Sequence, residues 1–303
     1  MIRGTFTALV TPFKDHEVDE ESFRKHIQFQ IDNGVDGIVP CGTTGETVTL
    51  TPEEYKKVIS IAIEEAKGKV PVVAGTGSNN TETVIETTKV AGELGADACL
   101  VVTPYYNKPP QEGLYQHYTR VARETKIPIV LYNVPSRTGC NLEPRTVARL
   151  AELDQIIALK EASGQLKQVC DVISLCRDKI TILSGDDYLA FPLMSVGGHG
   201  VISVASNVIP EGISSMISAA LSGEWDKARK LHYRFKDLCD MLFIETNPIP
   251  VKTALAMMGR MQPEFRLPLW RMSQKNEGPL AEILFRHHLI KTRPLYDQRK
   301  MAD

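Results

Sequence analysis

The sequence predicts a closed (β/α)8 TIM barrel that carries a helical appendage at its carboxyl-terminal end. Three observations lead there. Short β-rich runs alternate with longer helical patterns about eight times. Their starts recur at steps of roughly 20 to 35 residues, the spacing of successive βα units. The rival architecture, a doubly wound open sheet, lacks support because no Gly-x-Gly-x-x-Gly fingerprint follows the first strand.

Strands are expected at 4–10, 37–39, 70–74, 98–102, 128–132, 156–160, 180–183 and 200–204. Helical periodicity fills the intervals, as in Tyr55, Val58, Ile59, Ala62, Ile63 and Ala66, or in Leu166, Val169, Cys170 and Ile173. Thr51-Pro52-Glu53-Glu54 is a start signal, with threonine as N-cap, proline at the first helical position and glutamate at the third. After Gly223 the strand signals stop. Ala228, Leu231, Phe235, Leu238 and Leu242 mark one helix, 248–258 a second, and Leu280, Ile283 and Leu284 a third, with 263–268 as a loop. The division is therefore a catalytic barrel over 1–223 and a helical domain over 224–303. The terminal stretch with Lys291, Arg293, Arg299 and Lys300 is mildly basic and reads as a solvated end.

Composition narrows the function. With 35 basic and 37 acidic residues among 303, nothing draws the whole protein toward nucleic acid or an anionic membrane. Hydrophobic residues make up 43% and charged residues 24%, ordinary values for a globular chain that works on small molecules. The first ten residues lack the apolar core of a secretory signal, and no apolar run approaches membrane-spanning length. The six cysteines contain no Cys-x-x-Cys pair, which fits reduced thiols in the cytoplasm.

In such a barrel the chemistry stands where strands end. The sixth run, Ile156-Ile157-Ala158-Leu159-Lys160, ends in a lysine at the mouth of a buried strand. Desolvation disfavours the ammonium form there, so Lys160 is the leading candidate for a nucleophilic amine. The plainer reading packs its stem on apolar surface and pairs its head with water or Glu161. The second strand runs into Gly42-Thr43-Thr44-Gly45-Glu46, whose glycines, hydroxyls and amides can hold a small carboxylate. The fourth ends at Thr103-Pro104-Tyr105-Tyr106-Asn107 and the fifth at Tyr132-Asn133-Val134-Pro135-Ser136-Arg137-Thr138-Gly139. A phenol at a strand end can relay a proton, and a loop arginine can clamp a carboxylate. Gly185 after the seventh strand exposes backbone to a ligand, and Asp186 beside it reads equally as a helix cap or an acid. Ile202 and Ser203 come from the eighth. No cluster of His, Asp or Glu stands at strand ends in metal-ligand spacing, so no metal is expected. Gly75-Thr76-Gly77-Ser78-Asn79-Asn80 reads as a cap and turn, and the Gly-rich run before the eighth strand as structural.

These four strand-end motifs, with Leu183-Ser184-Gly185-Asp186-Asp187, 197–203 and Asn247-Pro248-Ile249-Pro250-Val251-Lys252, resemble the 4-hydroxy-tetrahydrodipicolinate synthase (dihydrodipicolinate synthase) family. That family lies within the pyruvate-dependent Schiff-base lyases, and the resemblance covers nearly the whole chain in order. It implies condensation of pyruvate with L-aspartate 4-semialdehyde in diaminopimelate and lysine biosynthesis, with no cofactor beyond a covalent imine between pyruvate and Lys160. It further implies that Thr43 and Thr44 bind the pyruvate carboxylate near the Gly185 and Ile202 backbones. Tyr132, Thr43 and Tyr106 would relay protons, and Arg137 would hold the semialdehyde carboxylate. The tyrosine matching Tyr106 reaches a neighbouring subunit's site in this family, which implies a homo-oligomer, a tetramer built as a dimer of dimers.

Sister aldolases such as N-acetylneuraminate lyase resemble the chain less, since they typically lack the counterparts of Tyr106 and Arg137. A barrel with a retired site is a further alternative, against which the intact Lys, Tyr, Tyr, Thr and Arg set speaks. In lysine-inhibited members a histidine usually stands where this chain has Tyr55 and a glutamate where it has Thr83, while Asn79 and Tyr105 match. Loss of that carboxylate implies weak or absent lysine feedback.

Overall fold

A run of consecutive apolar residues makes a stable strand only where both faces of the sheet are covered, and parallel βα units provide that cover. In the computed structural model, which describes residues 2–292, the barrel strands in chain order are Gly4–Ala8, Gly37–Val39, Val73–Gly75, Ala98–Val102, Ile129–Asn133, Ile156–Glu161, Thr181–Ser184 and Gly200–Ser203. They pair in parallel around one sheet, from the second strand through the first and the eighth back down to the third. The seam between second and third closes through a parallel bridge between Ile38 and Val72, with the Ile38 N–H donating to the Pro71 carbonyl at 3.1 Å.

The helix after each strand lies outside the sheet. The Pro52–Ala66 helix starts as its sequence specifies: Thr51 Oγ1 accepts from the Glu54 N–H at 3.2 Å, and the Glu54 carboxylate accepts from the Thr51 N–H at 2.9 Å. Alternation along the strands makes two apolar layers. Phe6, Val39, Leu100, Val130, Ala158 and Ile202 fill the barrel interior, while Ile38, Val101, Leu131 and Leu159 face the helices.

Two strands differ from expectation by more than a single residue at an end, the first and the third. The first strand stops at Ala8, because the Val10 N–H turns to the Asn207 side chain at 3.2 Å instead of a neighbouring strand. The third begins at Val73 and runs to Gly75, whose lack of a Cβ admits the Cys41 carbonyl that a side chain would meet at 2.0 Å.

Beyond the barrel come helices Trp225–Met241, Ile249–Met257 and Gln274–Arg286. One apolar cluster joins Val201, Ile213 and Ile217 of the barrel side to Leu238, Val251, Leu280 and Leu284 of these helices. The appendage therefore shares its core with the last βα unit. No helix among the described residues is long and apolar enough to cross a membrane. Arg293, Arg299 and Lys300 lie outside the described residues.

Candidate active site

The sixth strand carries Lys160 on the same face as Ala158, toward the barrel axis, and leaves it 5% exposed. Its register partners are Tyr132 and Leu183. Glu161, one residue on, faces the other way, as strand alternation requires. Its carboxylate accepts from the Asn133 amide at 3.1 Å, the Gln168 amide at 3.1 Å and the Ser163 N–H at 2.6 Å. The lysine is thus not neutralised by its neighbour in sequence. Burial lowers its pKa from 10.5 to about 8, opposed by Asp187 and assisted by the Arg137 charge. The ammonium nitrogen lies 4.4 Å from the centre of the Tyr132 ring.

Gly185 serves the lysine more directly than its expected role of backbone access. A Cβ at that position would stand 2.9 Å from Lys160 Cε and 2.8 Å from Ala162 Cβ, so the lysine stem occupies the space of a side chain. Asp186 is a turn residue whose carboxylate accepts from the Tyr188 N–H at 2.9 Å. The buried acid is Asp187, which accepts from Ser203 Oγ at 2.5 Å and from the Val204 and Ala205 N–H groups at 2.9 Å each. It ties the seventh strand's end to the eighth's, and burial outweighs these hydrogen bonds in raising its pKa. Ile202 is fully buried in the barrel core.

The loop after the second strand turns back through left-handed Cys41 (φ 56°) and Glu46 (φ 52°). Thr43 hydrogen-bonds to Tyr132, and this bond together with the Arg137 charge partly offsets the rise that burial imposes on the phenol's pKa. Thr44 is 2% exposed, and its Oγ1 accepts from the Asn247 side-chain amide at 3.0 Å. Glu46 meets Lys252 at 2.5 Å with both side chains fully buried, and it also accepts from the Arg266 N–H at 3.2 Å. Arg137 lies on the short helix Pro135–Thr138 and donates from Nη2 to the Asn247 backbone carbonyl at 3.1 Å.

Thr43, Tyr132, Arg137 and Asn247, with Tyr105 and Leu269, line a cavity of about 280 Å³. Lys160 is not among its lining residues and adjoins it through the Tyr132 ring. The fold thus brings Thr43, Tyr132 and Arg137 to one cavity, sets Lys160 behind the Tyr132 ring with Gly185 against its stem, ties Thr44 to Asn247, and leaves Ile202 in the barrel core. Tyr106 is the exception: it is 88% exposed, left-handed (φ 73°) and outside this cavity. A neighbouring cavity of about 510 Å³ is lined by Tyr55, Lys56, Ser78, Thr83 and Tyr105. There the buried Tyr55 hydroxyl donates to the Gly75 carbonyl at 3.2 Å. The Asn80 side chain caps the Thr81–Leu94 helix, in keeping with the cap reading of the glycine-rich turn before it.

The sequence reading missed Asn247, Lys252 and Asp187 as contributors. All three lie in runs that carried the family resemblance, yet only the position of Asp187, two residues after Gly185, was a local signal. Comparison with known proteins gives the family. A model of the dihydrodipicolinate synthetase family matches residues 1–286. The 4-hydroxy-tetrahydrodipicolinate synthase of Thermodesulfovibrio yellowstonii is 55% identical over 291 residues, covering 96% of this chain and all of that protein. That of Syntrophobacter fumaroxidans is 54% identical with the same coverage. The crystal structure of dihydrodipicolinate synthase from Aquifex aeolicus superposes with a TM-score of 0.94 at 48% identity, over 96% of this chain and all of that one. The enzyme from Thermotoga maritima gives 0.94 at 44%, with the same coverage. With a full-length family match, relatives above half identity and the same barrel, the chain belongs to the dihydrodipicolinate synthetase family.

Proposed function

We propose that this chain is a Schiff-base lyase that condenses pyruvate with L-aspartate 4-semialdehyde to 4-hydroxy-tetrahydrodipicolinate. The observation that carries the reading is a buried amine, with pKa lowered to about 8, against the ring of a phenol that is itself hydrogen-bonded to a threonine. Neutral Lys160 adds to the pyruvate ketone, and loss of water leaves an iminium. The iminium accepts electron density when the methyl group loses a proton, and the resulting enamine carbon bonds to the aldehyde carbon. The amine of the semialdehyde then displaces Lys160 at the former ketone carbon, closing the ring and restoring the free lysine. No cofactor is required, since the lysine supplies the electron sink.

Tyr132 and Thr43 form a proton path whose hydrogen bond is already made. Thr43 and Thr44 take the pyruvate carboxylate, with the Gly185 and Ile202 backbones beside it. Arg137, held over the mouth by the Asn247 carbonyl, takes the carboxylate of the semialdehyde. Tyr106 completes the relay of a neighbouring copy, a role supported by its exposure and its position away from its own cavity. The working form is accordingly a homo-oligomer, a tetramer of paired dimers, in the cytoplasm. Mass spectrometry after pyruvate and borohydride tests the reading: one pyruvyl adduct on Lys160 is expected and none in Lys160→Ala, while an adduct on another lysine, or none, overturns it.

A further inference from the structure

Asn247 stands 203 residues from Thr44 in sequence, yet its side-chain amide donates to the Thr44 hydroxyl at 3.0 Å. Its backbone carbonyl receives Arg137 at 3.1 Å. One residue of the segment between helices Trp225–Met241 and Ile249–Met257 therefore touches the groups assigned to both substrates. The residue is 6% exposed and lines the cavity, and among the described residues its Oδ1 has no hydrogen-bond partner.

A buried amide left half satisfied is costly, and sites of that kind mark a constraint other than stability. The constraint here is the direction of a proton. With the amide N–H donating to it, Thr44 Oγ1 spends a lone pair on Asn247 and keeps its own proton for an acceptor. Were the amide reversed, Oδ1 would take that proton, and the hydroxyl would face an incoming carboxylate with lone pairs alone. We propose that Asn247 is a positioning residue that turns the Thr44 hydroxyl into a dedicated donor for the pyruvate carboxylate, while holding Arg137 independently through its main chain. The inference rests on the reading of Thr44 given above. It makes the side chain of Asn247 a determinant of pyruvate binding and its backbone a support for the second substrate.

The test is steady-state kinetics of Asn247→Ala and of Asn247→Leu, which keeps the volume. Circular dichroism melts confirm that both are folded. The KM for pyruvate is expected to rise about ten-fold in each variant. The KM for L-aspartate 4-semialdehyde should stay within about two-fold, because Arg137 rests on a carbonyl that neither substitution removes. In a Thr44→Val background, adding Asn247→Ala should change the pyruvate KM by less than about two-fold, since the hydroxyl to be oriented is gone. Equal rises in both KM values, additive effects in the double variant, or an unchanged pyruvate KM would overturn the proposal. Borohydride trapping of pyruvate on the unsubstituted enzyme separates the cases. An adduct there with unchanged kinetics in the variants refutes this role alone, whereas no adduct refutes the lyase reading on which it rests.

Discussion

The Arg137 guanidinium helps to hold the Lys160 amine in its neutral form, and the contribution can be read as a pH profile. At pH 7 an amine of pKa about 8 is about 9% neutral, whereas one at the ordinary 10.5 is about 0.03% neutral, a ratio of roughly 300 in available nucleophile. Burial supplies most of that difference, and the arginine adds to it while Asp187 opposes. Replacing Arg137 with Met removes a positive charge, so protonation of the amine becomes easier and its pKa rises. Because the arginine is solvent-exposed, a rise of about half a pH unit is expected, or a three-fold slower reaction at pH 7. Replacing Asp187 with Asn should move the inflection the other way. The assay is rapid-quench borohydride trapping of the pyruvate imine from pH 6 to 9.5 without semialdehyde, so that the grip of Arg137 on the second substrate does not enter. An inflection near 10 in the unsubstituted enzyme, or a lower inflection in Arg137→Met, would refute the electrostatic account.

Gly185→Ala should fold normally yet slow imine trapping at least ten-fold, because its Cβ would displace Lys160 Cε from 2.9 Å; an unimpaired rate would show that the stem has room to move. The Arg266 guanidinium holds the Glu54 carboxyl at a pKa of about 2 against an ordinary 4.5. That contribution to stability is present above pH 4.5 and lost as the pH falls toward 2; urea melts of Arg266→Met should be less stable at pH 6 and flatter across that window. Mixing inactive Lys160→Ala with impaired Tyr106→Phe, after reversible dissociation, should restore activity through hybrid oligomers, which no restoration would contradict. Lysine at micromolar concentration should leave the rate unchanged in an inhibition curve, since Thr83 offers no carboxylate to the effector's ammonium in the cavity beside Tyr55; strong inhibition there would count against this.

Legibility in the sequence followed the range of the interactions. The sixth strand could be read because burial on both faces demands a continuous apolar run, and Lys160 interrupts one. The cap at Thr51 is a four-residue code, and it was readable for the same reason. Strand ends were harder. Whether Val10 remains in the sheet depends on Asn207, 197 residues away, competing for its N–H. Asn247 and Lys252 belong to that second kind, since no local period tells either residue that it will meet a loop about 200 positions earlier. Tyr106 is different again. Its motif identified it, but its role needs a second copy of the chain, and one subunit displays only an exposed side chain.

The buried meeting of Glu46 with Lys252 sets an order of events during synthesis. The carboxylate emerges from the ribosome early, and its only buried cationic partner among the described residues follows 206 residues later, well after the eighth strand has been made. Until then the glutamate has no counter-charge with which to enter the interior, and desolvating it alone would cost several kcal/mol. Burial of Glu46, and with it the loop that carries Thr43 and Thr44, is thereby coupled to docking of the helix Ile249–Met257 that brings Lys252. The dry setting of the Thr43-Thr44 loop is in this sense a property of the helical appendage as much as of the barrel.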